Sequence, residues 1–200
     1  MAEGRSIFTA VPLSPEAKAA VDELVTRVKA DVAADVGPDA RPVRWVRTDG
    51  IHVTLRFLGP TPADRFAGVE RAVTAAAAEC PPVRVRIHGA GGFPRPDRPR
   101  TLWLRIDEGQ EGLATIARRL DDHLATDGWA HEARPFHAHL TLARADGVRA
   151  GPQTLRRLVA EAERLSFEFL ADELVLFESV TGGGPARYEP LLRAPLTGEK

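Results

Sequence analysis

Ile51-His52-Val53-Thr54-Leu55-Arg56-Phe57-Leu58-Gly59 decides how this chain is read, because His139-Leu140-Thr141-Leu142-Ala143-Arg144 repeats its opening. Apolar and polar residues alternate at period two in both stretches, the pattern of a half-buried strand. On a strand, residues i and i+2 point the same way. His52 and Thr54 therefore share one face, with Val53 and Leu55 turned into a core. His139 and Thr141 share a face in the second copy, opposite Leu140 and Leu142. Two strands that each present an imidazole beside a hydroxyl predict one site built from both. The plainer alternative is two half-exposed strands, each showing a polar pair to water.

From these strands outward the chain punctuates itself. Ser6 to Val11 reads as a strand. Ser14 is the N-cap of a helix, with Pro15 in its first turn and Glu16 at the positive end of its dipole. Ala20, Val21, Leu24, Val25 and Val28 recur at helical spacing, and Gly37-Pro38 predicts the stop. Val43 to Val46 is a second strand. The turn Thr48-Asp49-Gly50 then predicts a hairpin with the first motif strand, which ends at Gly59-Pro60. Thr61-Pro62 opens an alanine-rich helix that Pro81-Pro82 terminates. Val83 to His88 alternates as a strand, and Gly89-Ala90-Gly91-Gly92-Phe93-Pro94-Arg95-Pro96 reads as a loop by composition. It carries no P-loop or dinucleotide fingerprint. Thr101 to Ile106 is a strand containing Trp103. Leu113, Ile116, Ala117, Leu120 and Leu124 mark another helix. Pro152 starts a last helix, with Leu155, Leu158 and Val159 on one face. Strands follow at Phe167–Phe169 and Glu173–Glu178, and Gly182-Gly183-Gly184-Pro185 turns the chain into a final strand from Arg187. This order predicts an α+β protein with two antiparallel sheets and helices on their outer faces.

Composition narrows the function. Two hundred residues at 44% hydrophobic and 28% charged suit a globular core, and a net charge of -1 argues against a protein that coats long nucleic acid. Gripping a single phosphate remains open. Cys80 is the one cysteine, so no intramolecular disulfide forms and a reducing compartment is expected. No apolar run reaches transmembrane length, and Met1-Ala2-Glu3-Gly4-Arg5 lacks a signal-peptide core, so a cytoplasmic protein is expected, with no membrane partner.

Histidine titrates near pH 6.5, so one of two converging imidazoles can be neutral while the other is protonated. That is a general base and a general acid in one pocket. The pair suits in-line displacement at phosphorus: one takes a proton from attacking water, the other gives a proton to the leaving oxygen. Threonine hydroxyls can donate to the phosphoryl oxygens. Two histidines without a third ligand at useful spacing make a poor zinc site, although His137 shares the parity of His139. Neither a metal nor another cofactor is expected. His88, His123 and His131 read as exposed or structural histidines.

The paired His-Val-Thr-Leu-Arg-Phe-Leu-Gly and His-Leu-Thr-Leu-Ala-Arg resemble the motifs of the two-histidine (2H) phosphoesterase superfamily. They look most like the RNA 2′,3′-cyclic phosphodiesterases, also called 2′-5′ RNA ligase-like proteins. Ser6–Ala10, Val43–Val46, Gly91–Pro94, Arg134–Phe136 and Ala186–Glu189 fit that family in order and spacing. The resemblance implies a bilobal fold: a single domain over residues 1–200, with two pseudo-symmetric lobes facing a central cleft. It implies metal-independent opening of a 2′,3′-cyclic phosphate on RNA ends or nucleotides to a 2′-phosphomonoester. His52 then resembles the proton donor and His139 the proton acceptor. Thr54 and Thr141 would hold phosphoryl oxygens. Arg144 matches the family's arginine after the second motif, but strict alternation aims it away from Thr141, so a bulge or strand end is required. Arg56 shares the parity of His52 and could face the cleft or simply be solvated. Phe8 and Tyr188 could stack a base or pack the core. Ala138 departs from the proline common there. The same chemistry run backwards would join ends through a 2′-5′ linkage. A non-catalytic nucleotide or RNA-end binding module is the reading from another class. Nothing in the sequence demands more than a monomer.

Overall fold

The computed structural model describes residues 4–35, 43–145, 150–180 and 186–199; Met1–Glu3, Gly37-Pro38 and Gly182–Pro185 lie outside the described residues. The elements run β1 (Arg5–Pro12), α1 (Pro15–Asp35), β2 (Arg44–Trp45), β3 (His52–Thr61), α2 (Phe66–Glu79), β4 (Val83–Phe93) and β5 (Thr101–Glu108). They continue through α3 (Gln110–Thr126), β6 (His139–Arg144), α4 (Ala150–Ala162), β7 (Ser166–Ala171), β8 (Glu173–Val180) and β9 (Arg187–Pro195). Ser14 caps α1 as its sequence position predicts, its Oγ accepting from the Ala17 amide at 3.2 Å.

The strands pair in the order β7-β4-β5-β6-β3-β1-β8-β9, with β2 added against β6, and every pairing is antiparallel. The two motif strands, β3 and β6, meet at one register pair, Val53 opposite Leu140. The two expected sheets are therefore halves of one curled sheet, β9-β8-β1-β3 and β6-β5-β4-β7, joined at that point. All helices back onto the face that Val53 and Leu140 bury. Val21, Leu24 and Val28 of α1, Val69 and Val73 of α2, Leu113 and Leu120 of α3, and Leu155 and Leu158 of α4 share one core with them. Within that layer α2 packs on α3, β8 and β9, while α1 packs on α4 and β7. The first helix thus crosses from its own half-sheet to the other. Among the described residues, no helix covers the opposite face of β3 and β6.

Three local expectations are corrected. Residues 43–46 do not form a hairpin with the first motif strand. Arg44 pairs with Arg144, Trp45 with Ala143, and the Val46 amide donates to the Leu142 carbonyl at 2.9 Å. β3 parts from β6 after a single pair, which leaves the rest of that edge of β6 unpaired, and β2 takes it. β2 and β3 run in one direction along β6, interrupted by a 3-10 turn at Thr48–Gly50. Next, β3 does not stop at Gly59-Pro60 but pairs through Thr61 with β1. Among the described residues Pro60 pairs on one side only, with Ser6, an edge position where proline is tolerated. Gly59 supplies φ +71° beside the bulge at Ile7/Phe8. Finally, Gly89–Gly92 belongs to β4: Ala90, Gly91 and Gly92 pair with β5, and Gly89, at φ +82°, sits in the register shift before them. A Cβ on Gly91 would lie 2.3 Å from the Trp103 ring. These glycines serve close approach of a side chain, not a loop, and composition alone does not separate the two uses. No helix among the described residues is long and apolar enough to cross a membrane.

Candidate active site

Antiparallel pairing through Val53 and Leu140 fixes what lies beside what. Counting outward from that pair, His52 faces Thr141 and Thr54 faces His139. Val53, Leu55, Leu140 and Leu142 are buried on the helix side, as alternation requires. The two imidazoles therefore occupy one diagonal of a four-residue patch and the two hydroxyls the other. Diagonal neighbours across an antiparallel pair stand about 7–8 Å apart, a span in which one phosphoryl group fits.

A cavity of about 740 Å³ opens over this patch, lined by His52, Thr54, Thr141 and Arg144 together with Phe8, Tyr188 and the β2 segment Arg44–Arg47. His139 is not among the lining residues. It stands on the same face of β6 beside them, close enough for its charge to act on His52.

Arg144 reaches the cavity by the bulge that strict alternation demanded. Opposite β5, Ala143 faces Leu102 and Thr141 faces Trp103, so Leu142 is an extra residue. Leu142 and Ala143 both point into the core, and parity is restored one residue later. Arg144 comes back to the side of Thr141, where its Nη1 donates to Thr101 Oγ1.

Each histidine is anchored the same way. His52 Nδ1 lies 2.7 Å from the Gly50 carbonyl, and His139 Nδ1 lies 2.7 Å from the His137 carbonyl. A carbonyl only accepts, so Nδ1 carries the hydrogen in both rings, and Nε2 is left as the working nitrogen. For His52 the 3-10 turn supplies that carbonyl; for His139 it comes from residue 137, in the irregular segment that enters β6. Neither partner is a side chain, so the residue types alone carried no signal for them.

The surroundings of the two rings differ. His52 lies 4.7 Å from the Phe8 ring and 5.9 Å from Phe177, with Tyr188 edge-on at 5.0 Å. Phe8 is 3% exposed and packs with Ala10, Val175 and Phe177, so it underlies the histidine and does not offer a free face. His139 meets Phe93 edge-on at 5.3 Å and Trp103 at 6.1 Å. Sequence reading had placed Phe93 in a loop and Trp103 in a strand without a role at the site. Burial pushes the His52 imidazole down to about 4, against the opposing bond to Gly50, with further depression from the charges of His139 and Lys18. Burial also lowers His139, again opposed by its carbonyl bond and assisted by the neighbouring Arg144 charge.

Arg56 does not face the cavity. Its side chain is 10% exposed and pairs with Asp121 at 3.4 Å and Glu132 at 3.2 Å, while Nη2 donates to the Ala130 carbonyl. It ties the first motif strand to α3 and to the segment that leads into the second. Three further histidines, His88, His123 and His131, have partners of their own away from the cavity. His88 faces Glu163 and the Leu165 carbonyl, His123 pairs with Glu79, and His131 pairs with Asp121. Among the described residues, no group of three or more His, Cys, Asp or Glu side chains is placed to hold a metal ion. Cys80 is buried in the core.

The chain has relatives. Residues 15–183 match the model of the 2′-5′ RNA ligase superfamily. The chain belongs to that superfamily. Several curated relatives carry the name RNA 2′,3′-cyclic phosphodiesterase. The one from Geobacillus stearothermophilus is 32% identical over 96% of this chain, and this chain spans 57% of that protein's length. The one from Escherichia coli K12 is 29% identical over 98% of this chain and 99% of its own. Among solved structures, E. coli LigT complexed with 3′-AMP superposes with a TM-score of 0.67 at 27% identity, over 98% of this chain and 99% of that one.

Proposed function

We propose that this protein hydrolyses 2′,3′-cyclic phosphate on RNA ends or nucleotides to a 2′-phosphomonoester. The observation that carries the reading is the pair of imidazoles, each with Nδ1 held by a carbonyl two residues back and each beside a threonine of the facing strand. The family relatives named as RNA 2′,3′-cyclic phosphodiesterases support the same reaction. In the proposed step, water attacks phosphorus as its proton passes to Nε2 of His139. The P–O3′ bond breaks opposite, and Nε2–H of His52 gives its proton to that oxygen. A 2′-phosphate and a 3′-hydroxyl result, and solvent restores both rings. Thr54, Thr141 and Arg144 hold the non-bridging oxygens, whose charge grows in the transition state. Donation needs a protonated His52, which burial disfavours. The phosphate's own negative charge favours the imidazolium and so supplies the proton only when substrate is present.

We further propose that the two half-sheets act as pseudo-symmetric lobes of a single domain, and that the protein works as a cytoplasmic monomer. End joining through a 2′-5′ linkage is the same acid–base sequence reversed, so the balance between the two follows water and the concentration of ends. The test is turnover of a 2′,3′-cyclic nucleotide in EDTA, with the product's phosphate position read by NMR. We expect full activity and a 2′-phosphate. Loss of activity with chelator, or a 3′-phosphate product, would overturn the scheme.

A further inference from the structure

Resting on the activity proposed above, we infer that Phe57 is the platform on which the base of the reacting nucleoside stacks. The first observation is a bulge that both motif strands carry. On β6 the extra residue is Leu142, and it brings Arg144 back to the cavity side. On β3, Thr54 faces Ala10 of β1 and Arg56 faces Thr9, so Leu55 is the extra residue there. Leu55 is buried in the core and Arg56 reaches Asp121 of α3, both away from the cavity. Phe57 then returns to the cavity side and joins its lining. Each bulge directly follows the motif threonine. Phe57 therefore stands to His52 and Thr54 as Arg144 stands to His139 and Thr141. One strand offers the ligand a cation, the other a flat apolar ring.

The second observation is that this ring is available. Three other aromatic side chains, histidine apart, line the cavity, and each is engaged. Phe8 is buried beneath His52. Tyr188 stands edge-on to Phe8 at 5.1 Å and to His52 at 5.0 Å. The Lys29 ammonium lies 5.5 Å from the centre of the Trp45 ring. Phe57 is 59% exposed, and among the described residues no other ring or cation packs on it. A single exposed hydrophobic residue is ordinary on a surface. What sets Phe57 apart is its place in the cavity of the reacting group, where the exposed Phe93 and Leu170 are not.

Distance and size agree. Thr54 faces Ala10 and Phe57 faces Phe8, two residues apart on β1. Phe57 thus follows Thr54 at about 7 Å along the sheet. A nucleoside carries its base on C1′, next to the C2′ that bears the phosphate. With the phosphate on the histidine and threonine patch, the base falls within reach of Phe57. A cavity of about 740 Å³ lies in the range of roughly 300–1,000 Å³ that houses a whole small-molecule ligand, well beyond one phosphoryl group. A phenyl ring grips a base by its face, so Phe57 binds bases without selecting among their edges.

The experiment is calorimetric binding of adenosine 2′-phosphate and of methyl β-D-ribofuranoside 2-phosphate, which has a methoxyl in place of the base. The wild-type protein should bind the first about 5–150-fold more tightly, the worth of one stacked base. Phe57→Ala should close that gap. Phe57→Leu, apolar but not flat, should lose most of it, and serves alone if Phe57→Ala does not fold. Phe57→Trp should keep it. Equal affinity for the two probes in the wild type, no binding of either, or a gap that survives Phe57→Ala or Phe57→Leu would overturn the platform. Failure to turn over cyclic phosphates would defeat the proposed activity and leave this binding comparison standing.

Discussion

The niches of His52 and His139 are built to one plan and finished differently. Both rings sit on strands that cross at Val53 and Leu140, and both give Nδ1–H to a carbonyl two residues back. Around His52, however, Phe8, Phe177 and Tyr188 close in. Around His139 stand Phe93 and Trp103, and the Arg144 charge acts on it. Repeated chemistry in unequal surroundings is how two like groups come to hold protons differently. Burial lowers His52, so in the proposed step its protonation depends on the bound phosphate. Burial, assisted by the Arg144 charge, lowers the affinity of His139 for a proton, which suits the base of the proposed step.

The largest effect expected comes from taking the two niches apart. His52→Ala and His139→Ala should each lower kcat about 10²–10⁴-fold on a cyclic nucleotide. A phosphodiester with a nitrophenolate leaving group needs no proton donor, so it should recover rate in His52→Ala and not in His139→Ala. Equal recovery of both variants would break the assigned difference, and recovery of His139→Ala alone would reverse it.

Next comes the pH dependence. The His52 imidazole titrates near 4 in the folded protein, against an ordinary value near 6.5. Between those values the unfolded chain binds more protons than the native one, so stability is complete above pH 6.5 and falls as pH drops towards 4. The fall should be on the order of 3 kcal/mol from His52, with His139 adding in the same direction. Denaturant melts of wild type and His52→Asn across that window measure it. A slope unchanged in the variant would show that His52 is not the buried neutral group described. The kcat/KM profile of the free enzyme should likewise have both limbs below about pH 6.5.

Smallest is the effect of the link between the two strands. Arg56→Ala removes the contacts to Asp121, Glu132 and the Ala130 carbonyl and should cost about 1–3 kcal/mol of stability. Arg56→Lys should restore little, because a point charge does not reach several acceptors at once. A thermal melt within 1 °C of wild type would remove Arg56 as the tie between the niches.

Much of this site is legible along the chain because a strand's period is two. Once His52-Val53-Thr54-Leu55 reads as a strand, the shared face of His52 and Thr54 follows, and the apolar partners find the core without further information. The helices are legible for the parallel reason: Leu113, Ile116, Ala117, Leu120 and Leu124 all lie buried on one face of α3. Arg144 was half legible. Its parity announced that a bulge was needed, and the register against β5 supplies it.

What composition misread were residues whose use depends on a distant neighbour. Gly91 looks like a loop glycine until Trp103 lies against it. Arg56 looks like a cleft-facing or a solvated residue until Asp121 and Glu132 meet it. Residues 43–46 look like half of a hairpin until β6 leaves an edge open. The sequence by itself determined the two motif strands, their inward and outward faces and the chemistry those faces can perform, since all of that is local periodicity. Only the tertiary structure decided that the strands cross antiparallel at a single pair, that backbone carbonyls orient both rings and that Arg44 stands opposite Arg144. Those are long-range registers, set by packing across the sheet, and no local pattern encodes them.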